Sequence, residues 1–168
     1  LPQVKTLRSL SLDRTQVDSG IGPIARQCPQ LAKLSLRQTP VSDSVFAPLA
    51  EMETLEALHL DGNVNLVGHE FNALIKQGRF KGLKELTAGG GQLGFYALQN
   101  VERLKQLEVL KMPNSRMSDD SLQGLGQCPN LKVLHVGLNS ITDKGVQLLA
   151  KLRNLEELDV NGVMTITD

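Results

Sequence analysis

Apolar residues return along this chain in a fixed spacing, L-x-x-L-x-L or a close variant, whose first leucines are Leu7, Leu31, Leu55, Leu83, Leu107, Leu131 and Leu155. The steps between them are 24, 24, 28, 24, 24 and 24 residues, and self-similarity at a period of about 20 to 50 residues marks a repeat architecture. Within a unit the period changes. The opening alternates inward and outward positions, as in Leu34-Ser35-Leu36, which predicts a short strand with one face buried. An apolar residue follows ten positions after the first leucine, at Val17, Val41, Leu93, Met117 and Ile141. Three-residue spacing then takes over, as in Phe46, Leu49 and Met52 or Val146, Leu149 and Leu152, and predicts a short helix. Ser42-Asp43, Ser118-Asp119 and Thr142-Asp143 precede such helices, and their side-chain oxygens suit the free amides of a first turn. Each unit therefore reads as strand, turn, short helix and return.

The stretch LKVLHVGLNSITDKGVQLLAKLRNLEEL, residues 131 to 158, is similar to the short bacterial repeats of the leucine-rich-repeat family. CPQLAKLSL and CPNLKVLHV also resemble the cysteine-containing, ribonuclease-inhibitor-like repeats of F-box-type ubiquitin-ligase receptors. That type carries a second cysteine after its strand, where this chain has Thr15, Thr39, Asn63, Ser115 and Asn139, so the bacterial-like subtype is the better match. The resemblance spans essentially the whole chain. It implies an α/β right-handed solenoid, a horseshoe with a parallel sheet on the concave face and short helices on the convex face. It also implies a non-enzymatic protein-recognition role, with a ubiquitin-ligase substrate receptor or a structural spacer as alternatives. The expected organisation is a single domain over residues 1–168. Leu1 and Val4 fit the last helical positions of a preceding repeat, and the chain stops at Asp168 where another helix is due. A window cut from a longer array, or ends protected by end-to-end self-association, is the expectation that follows.

Composition narrows the partners. The 168 residues carry 18 Lys+Arg against 18 Asp+Glu, a formal charge of zero, so counterion release supplies little drive toward nucleic acid. No apolar run approaches the roughly 18 residues of a membrane span, and no membrane insertion is expected. Leucine supplies 30 residues, beside four Phe, one Tyr and no Trp: a core built from one repeated aliphatic part. No secretory leader pattern opens this window. The two cysteines, Cys28 and Cys128, hold equivalent positions four repeats apart, roughly 19 Å by strand spacing, and are expected as free buried thiols.

The repeat frame places the candidate chemistry. The concave columns run Ser11-Asp13, Ser35-Arg37, His59-Asp61, Thr87-Gly89, Lys111-Pro113, His135-Gly137 and Asp159-Asn161, read as an exposed polar face without aromatics. Candidate partner-binding residues there are Asp13, Arg37, His59, Asp61, Gly89, Gly90, Lys111, His135 and Asp159. Arg37 is the one residue among them of a type enriched in tight interfaces. Gly89 and Gly90 are expected to leave a bare patch open to a partner's backbone. The 28-residue unit before them carries its extra length between Val64 and Arg79, including His69, Glu70 and Phe71, and insertions in solenoids often belong to the binding surface. His135 with Asp159, or His59 with Asp61, would be the acid-base pair of a hydrolase-type enzyme, but no nucleophile completes either set, so no enzyme is expected. No metal or cofactor is expected either. Gly89-Gly90-Gly91-Gln92-Leu93-Gly94 matches G-x-G-x-x-G, yet the unit is too short and Lys111-Met112-Pro113 supplies no acidic residue for a dinucleotide. The residues after each first leucine, Glu56, Lys84, Glu108, Lys132 and Glu156, alternate in sign and predict a ladder of ion pairs between repeats.

Overall fold

The computed structural model describes residues 4–18 and 20–163. Leu1 and Asp168, on which the reading of the two ends rests, lie outside the described residues. Seven strands form one parallel sheet in sequence order: β1 (Ser9–Ser11), β2 (Lys33–Ser35), β3 (Ala57–His59), β4 (Glu85–Thr87), β5 (Val109–Lys111), β6 (Val133–His135) and β7 (Glu157–Asp159). Among the described residues five α-helices lie between successive strands: α1 (Ile21–Gln27), α2 (Phe46–Leu49), α3 (His69–Lys76), α4 (Asp119–Leu122) and α5 (Asp143–Leu149). Strand register follows the leucine frame, with Leu10, Leu34, Leu58, Leu86, Leu110, Leu134 and Leu158 side by side. The first leucines Leu31, Leu55, Leu83, Leu107 and Leu131 are buried below them, as are Leu36, Leu60, Ala88, Met112 and Val136. The expected solenoid is present.

Two backbone devices recur in every unit. The residue seven positions after the first leucine sits in the left-handed region: Arg14, Gln38, Gly62, Gly90, Asn114, Leu138 and Gly162, with φ between 49° and 76°. Through the first six of these the amide still donates to the neighbouring unit, as from Gln38 to the Asp61 carbonyl at 2.8 Å, before the chain turns out of the sheet. The strands stop at three residues because this reversal follows at once. At the other end of the unit, the amide of each first leucine from Leu31 onward donates to the carbonyl three residues earlier, as from Leu83 to Phe80 at 3.0 Å.

The helical wall is thinner than the sequence predicts. Between β4 and β5 it consists of two 3-10 turns, Leu93–Phe95 and Val101–Arg103. Glycines at 89, 90, 91 and 94 account for the start of that stretch, since glycine is a poor helix former. The 28-residue unit does the reverse and makes α3, eight residues long. Its Phe71 ring lies between Phe46, at 4.9 Å, and Phe80, at 5.0 Å. Phe80 thus fills the inward column held elsewhere by Cys28, Met52, Leu104, Cys128 and Leu152. Both cysteines are free and buried, and burial pushes the Cys128 thiol up to about 11.

The aspartates before the helices act differently from simple caps. Asp43 accepts from the amides of Val67 (2.8 Å) and Gly68 (2.9 Å), and Asp119 from the amide and hydroxyl of Thr142 (2.8 and 2.6 Å). Each carboxylate ties its unit to the next. The Thr142 hydroxyl does cap α5, accepting from Lys144, and Ser118 and Ser121 form a capping box on α4; Ser42 makes no such bond.

Candidate functional site

At the N-terminal half of the concave face Asp13, Arg37 and Asp61, which hold the same position of units one, two and three, come together. Asp13 accepts from the Ser35 hydroxyl at 2.5 Å and the Arg37 amide at 2.8 Å. Asp61 repeats that arrangement one step on, accepting from the Thr87 hydroxyl at 2.5 Å and the Gly89 amide at 2.9 Å, and additionally from Arg37 Nε at 2.8 Å. The Arg37 side chain remains 42% exposed, over an open groove shared with Arg14, Gln38 and Gly62. The two aspartates are consumed in joining strand ends; the arginine is left to face outward.

Burial pushes the Asp61 carboxyl up, but donation from Thr87, Gly89 and Arg37 overcomes it and holds the group below its ordinary value of 3.8. Asp13 is lowered in the same way, burial opposing, with Ser35 and the Arg37 amide prevailing. A carboxylate depressed in the folded state contributes stability above the pKa of the unfolded chain and loses it as pH falls through the folded pKa. We therefore expect the melting temperature to fall steeply below about pH 4. Asp61→Asn should be less stable near neutrality and flatten that acid limb in a calorimetric pH series. An acid limb of unchanged slope would show that Asp61 carries no such linkage.

The histidines correct the sequence reading. His135 and Asp159 are register partners on β6 and β7, but His135 Nε2 lies 2.6 Å from Glu157 Oε1, and Asp159 accepts instead from the Asn161 amide at 2.8 Å. His59 Nε2 contacts Glu85 Oε1 at 3.0 Å rather than Asp61, and its side chain is 5% exposed. Burial lowers the His59 pKa from 6.5 against the pull of Glu85, which leaves it neutral near pH 7. Neither expected acid-base pair is formed. Ser35, His59 and Thr87 are buried rather than exposed: each lies between two neighbouring strands and under the carboxylates of Asp13, Glu85 or Asp61. Lys111 is half-buried on β5.

The glycine patch is corrected as well. Gly89 is buried, and a Cβ on it would meet the Pro113 ring at 2.9 Å and the Pro113 carbonyl oxygen at 3.0 Å. Proline covers the place where a bare patch is expected. Gly90 is exposed at φ 73°, in the left-handed column. Gly91 and Gly94 complete the motif for a related reason: added carbons would meet the Asn63 carbonyl oxygen at 2.9 Å and the Ser115 carbonyl oxygen at 2.7 Å. The motif is a record of close backbone approach between units.

A second concavity, of about 450 Å³, lies on the flank where the chain leaves the strands. Phe95 and Tyr96 form one wall, with ring centroids 4.5 Å apart, and Arg116, Met117, Ser118 and Ser140 are among the other lining residues. The His69 ring, at the start of α3, stacks on Tyr96 at 3.7 Å. The inserted length in the third unit thus buttresses the wall of the fourth. Sequence reasoning passed over this groove. The signal was present in the frame: the position twelve after the first leucine is Ser19, Asp43, Val67, Phe95, Asp119 and Asp143 in units one to six, apolar only at Val67 and Phe95, both of which line the groove.

Comparison with known proteins agrees with this geometry. A family model described as a leucine-rich repeat matches residues 127–150. A leucine-rich-repeat protein of Leptospira interrogans superposes with a TM-score of 0.70 at 23% identity, over 92% of this chain and 37% of that one. The chain has the leucine-rich-repeat fold. An internalin of Listeria monocytogenes gives a TM-score of 0.60 at 22% identity, over 93% of this chain and 48% of that one. The plant peptide hormone receptor RGFR1, solved in complex with RGF2, gives 0.61 at 21%, over 94% and 25%. The chain spans less than half the length of each of these three. The charged ladder between units breaks into separate pairs, Lys84 to Glu56 at 3.0 Å and Lys132 to Glu108 at 2.9 Å, rather than running continuously. Among the described residues no helix is long and apolar enough to cross a membrane, and no three His, Cys, Asp or Glu side chains gather as a metal site.

Proposed function

We propose that this leucine-rich-repeat protein is a non-enzymatic protein-recognition module that meets its partner through the concave sheet face and the irregular third and fourth repeats. The observation that carries this reading is Arg37, whose guanidinium is oriented by Asp61 at 2.8 Å yet stays 42% exposed on a rigid parallel sheet. A planar guanidinium fixed from behind offers its remaining donors to a partner's carboxylate or carbonyl at little entropic cost. The kinship with leucine-rich-repeat proteins, one of them solved as a receptor in complex with RGF2, supports the same role. Its test is affinity capture from extract of the source cells with wild type and Arg37→Gln, each first confirmed folded by its melting curve. A protein retained by wild type and lost from Arg37→Gln is the expected result. Equal retention by both would remove the concave face from the recognition surface.

A further inference from the structure

The flank groove differs from the rest of the surface in composition. Of the five aromatic residues of types Phe and Tyr in the sequence, Phe46, Phe71 and Phe80 are buried in the core. The other two, Phe95 and Tyr96, stand together on this groove, and Phe95 is 53% exposed. Phe95 occupies the column in which Asp43 and Asp119 tie their units to the next. At this step the fold gives up that tie and exposes a ring instead, so packing does not account for the residue.

Arg116 is the one charged residue lining the groove. It is exposed and has no ion pair or side-chain hydrogen bond among the described residues. Its backbone is in the left-handed region at φ 61°, a conformation costly for a residue with a side chain. Asn139 Oδ1 accepts from the amides on either side of it, Ser115 at 2.9 Å and Met117 at 3.0 Å, and so fixes the loop with Arg116 turned outward. Aromatic rings beside an arginine are the residue types that dominate interface energetics. No carboxylate lines the groove to answer that cation.

We propose that this groove docks a short peptide segment of a partner protein in which an aliphatic side chain sits next to a carboxylate. The aliphatic group packs on Phe95 and Tyr96 over Met117, the carboxylate pairs with Arg116, and the Ser118 and Ser140 hydroxyls meet the segment's backbone. The proposal rests on the protein-recognition reading but names a different surface from Arg37. The test is a displayed random heptapeptide library panned on the whole chain, followed by fluorescence polarisation with the enriched peptide. Enriched sequences should carry Asp or Glu within two positions of Leu, Ile, Val or Met. Affinity should fall by about tenfold or more in Phe95→Asp and in Arg116→Gly, as expected of hot-spot residues. Arg116→Gly should melt at or above the wild-type temperature, since glycine relieves the left-handed backbone, which separates binding from folding. Arg37→Gln should bind the peptide undiminished. Absence of such sequences, or an enriched peptide that binds Phe95→Asp and Arg116→Gly as tightly as wild type, overturns the flank site. Enriched peptides that depend on Arg37 instead would also overturn it while supporting the concave face.

Discussion

Leu110→Ala should cost about 2 to 5 kcal/mol of unfolding free energy, the range for truncating a fully buried leucine in a core that relaxes only partly. Leu110 is 0% exposed at the centre of β5, paired in register with Leu86 on one side and Leu134 on the other. The equivalent Leu10 on β1 has only Leu34 as a register partner among the described residues and is partly exposed, so Leu10→Ala should cost markedly less. Position along the array, rather than residue type, separates the two. Stability in such arrays is a sum of unit and nearest-neighbour terms, so a hole at β5 weakens the interfaces on both sides at once. Urea unfolding of the two variants measures this directly. Equal losses would mean that the leucine column does not act through its neighbours.

Most of the fold is legible in the sequence because one number, the repeat period, converts offsets into neighbours. The leucine frame alone places Leu10 beside Leu34 and Leu34 beside Leu58, and the sheet follows. What the frame leaves unread are contacts that cross it diagonally. His59 reaches Glu85, which sits two positions earlier in its own unit, and His135 reaches Glu157 by the same diagonal. Reading along the strand suggests Asp61 for His59, and reading across the column suggests Asp159 for His135. The left-handed column was hidden for another reason: Gly62, Gly90 and Gly162 signal it, but Arg14, Gln38, Asn114 and Leu138 share the conformation without a glycine to mark it. Gly89 misled in the opposite sense, since a residue without a side chain reads as a gap when its neighbour's proline ring is what requires the room. The flank groove could have been found from Val67 and Phe95, the two apolar residues in an otherwise polar column. Its depth could not, because it depends on α3 bringing His69 against Tyr96.

Asn139→Ala should be about as damaging as a core truncation, roughly 3 kcal/mol, although the side chain is amide rather than hydrocarbon. Its Oδ1 accepts from the amides of Ser115 and Met117 at 2.9 and 3.0 Å, and its Nδ2 donates to the carbonyls of Met112 at 2.8 Å and Val136 at 2.9 Å. The turn leaving β5 has no other means of satisfying those amides, because the left-handed residues Asn114 and Arg116 take it out of the sheet ladder. Removing the amide strands donors beside Ser115, which is 0% exposed, where water does not readily replace them. For a chain of this size the loss corresponds to a melting temperature lower by roughly 6 to 12 °C. Hydrogen exchange locates the effect: the Ser115 and Met117 amides should lose protection far more than those of β2. Asn63 makes the related pair of bonds, from the Thr39 amide and to the Leu36 carbonyl, both at 2.8 Å, so Asn63→Ala should reproduce the loss three units earlier. A loss under about 1 kcal/mol in both variants would mean that these turns hold their shape through the leucine column alone.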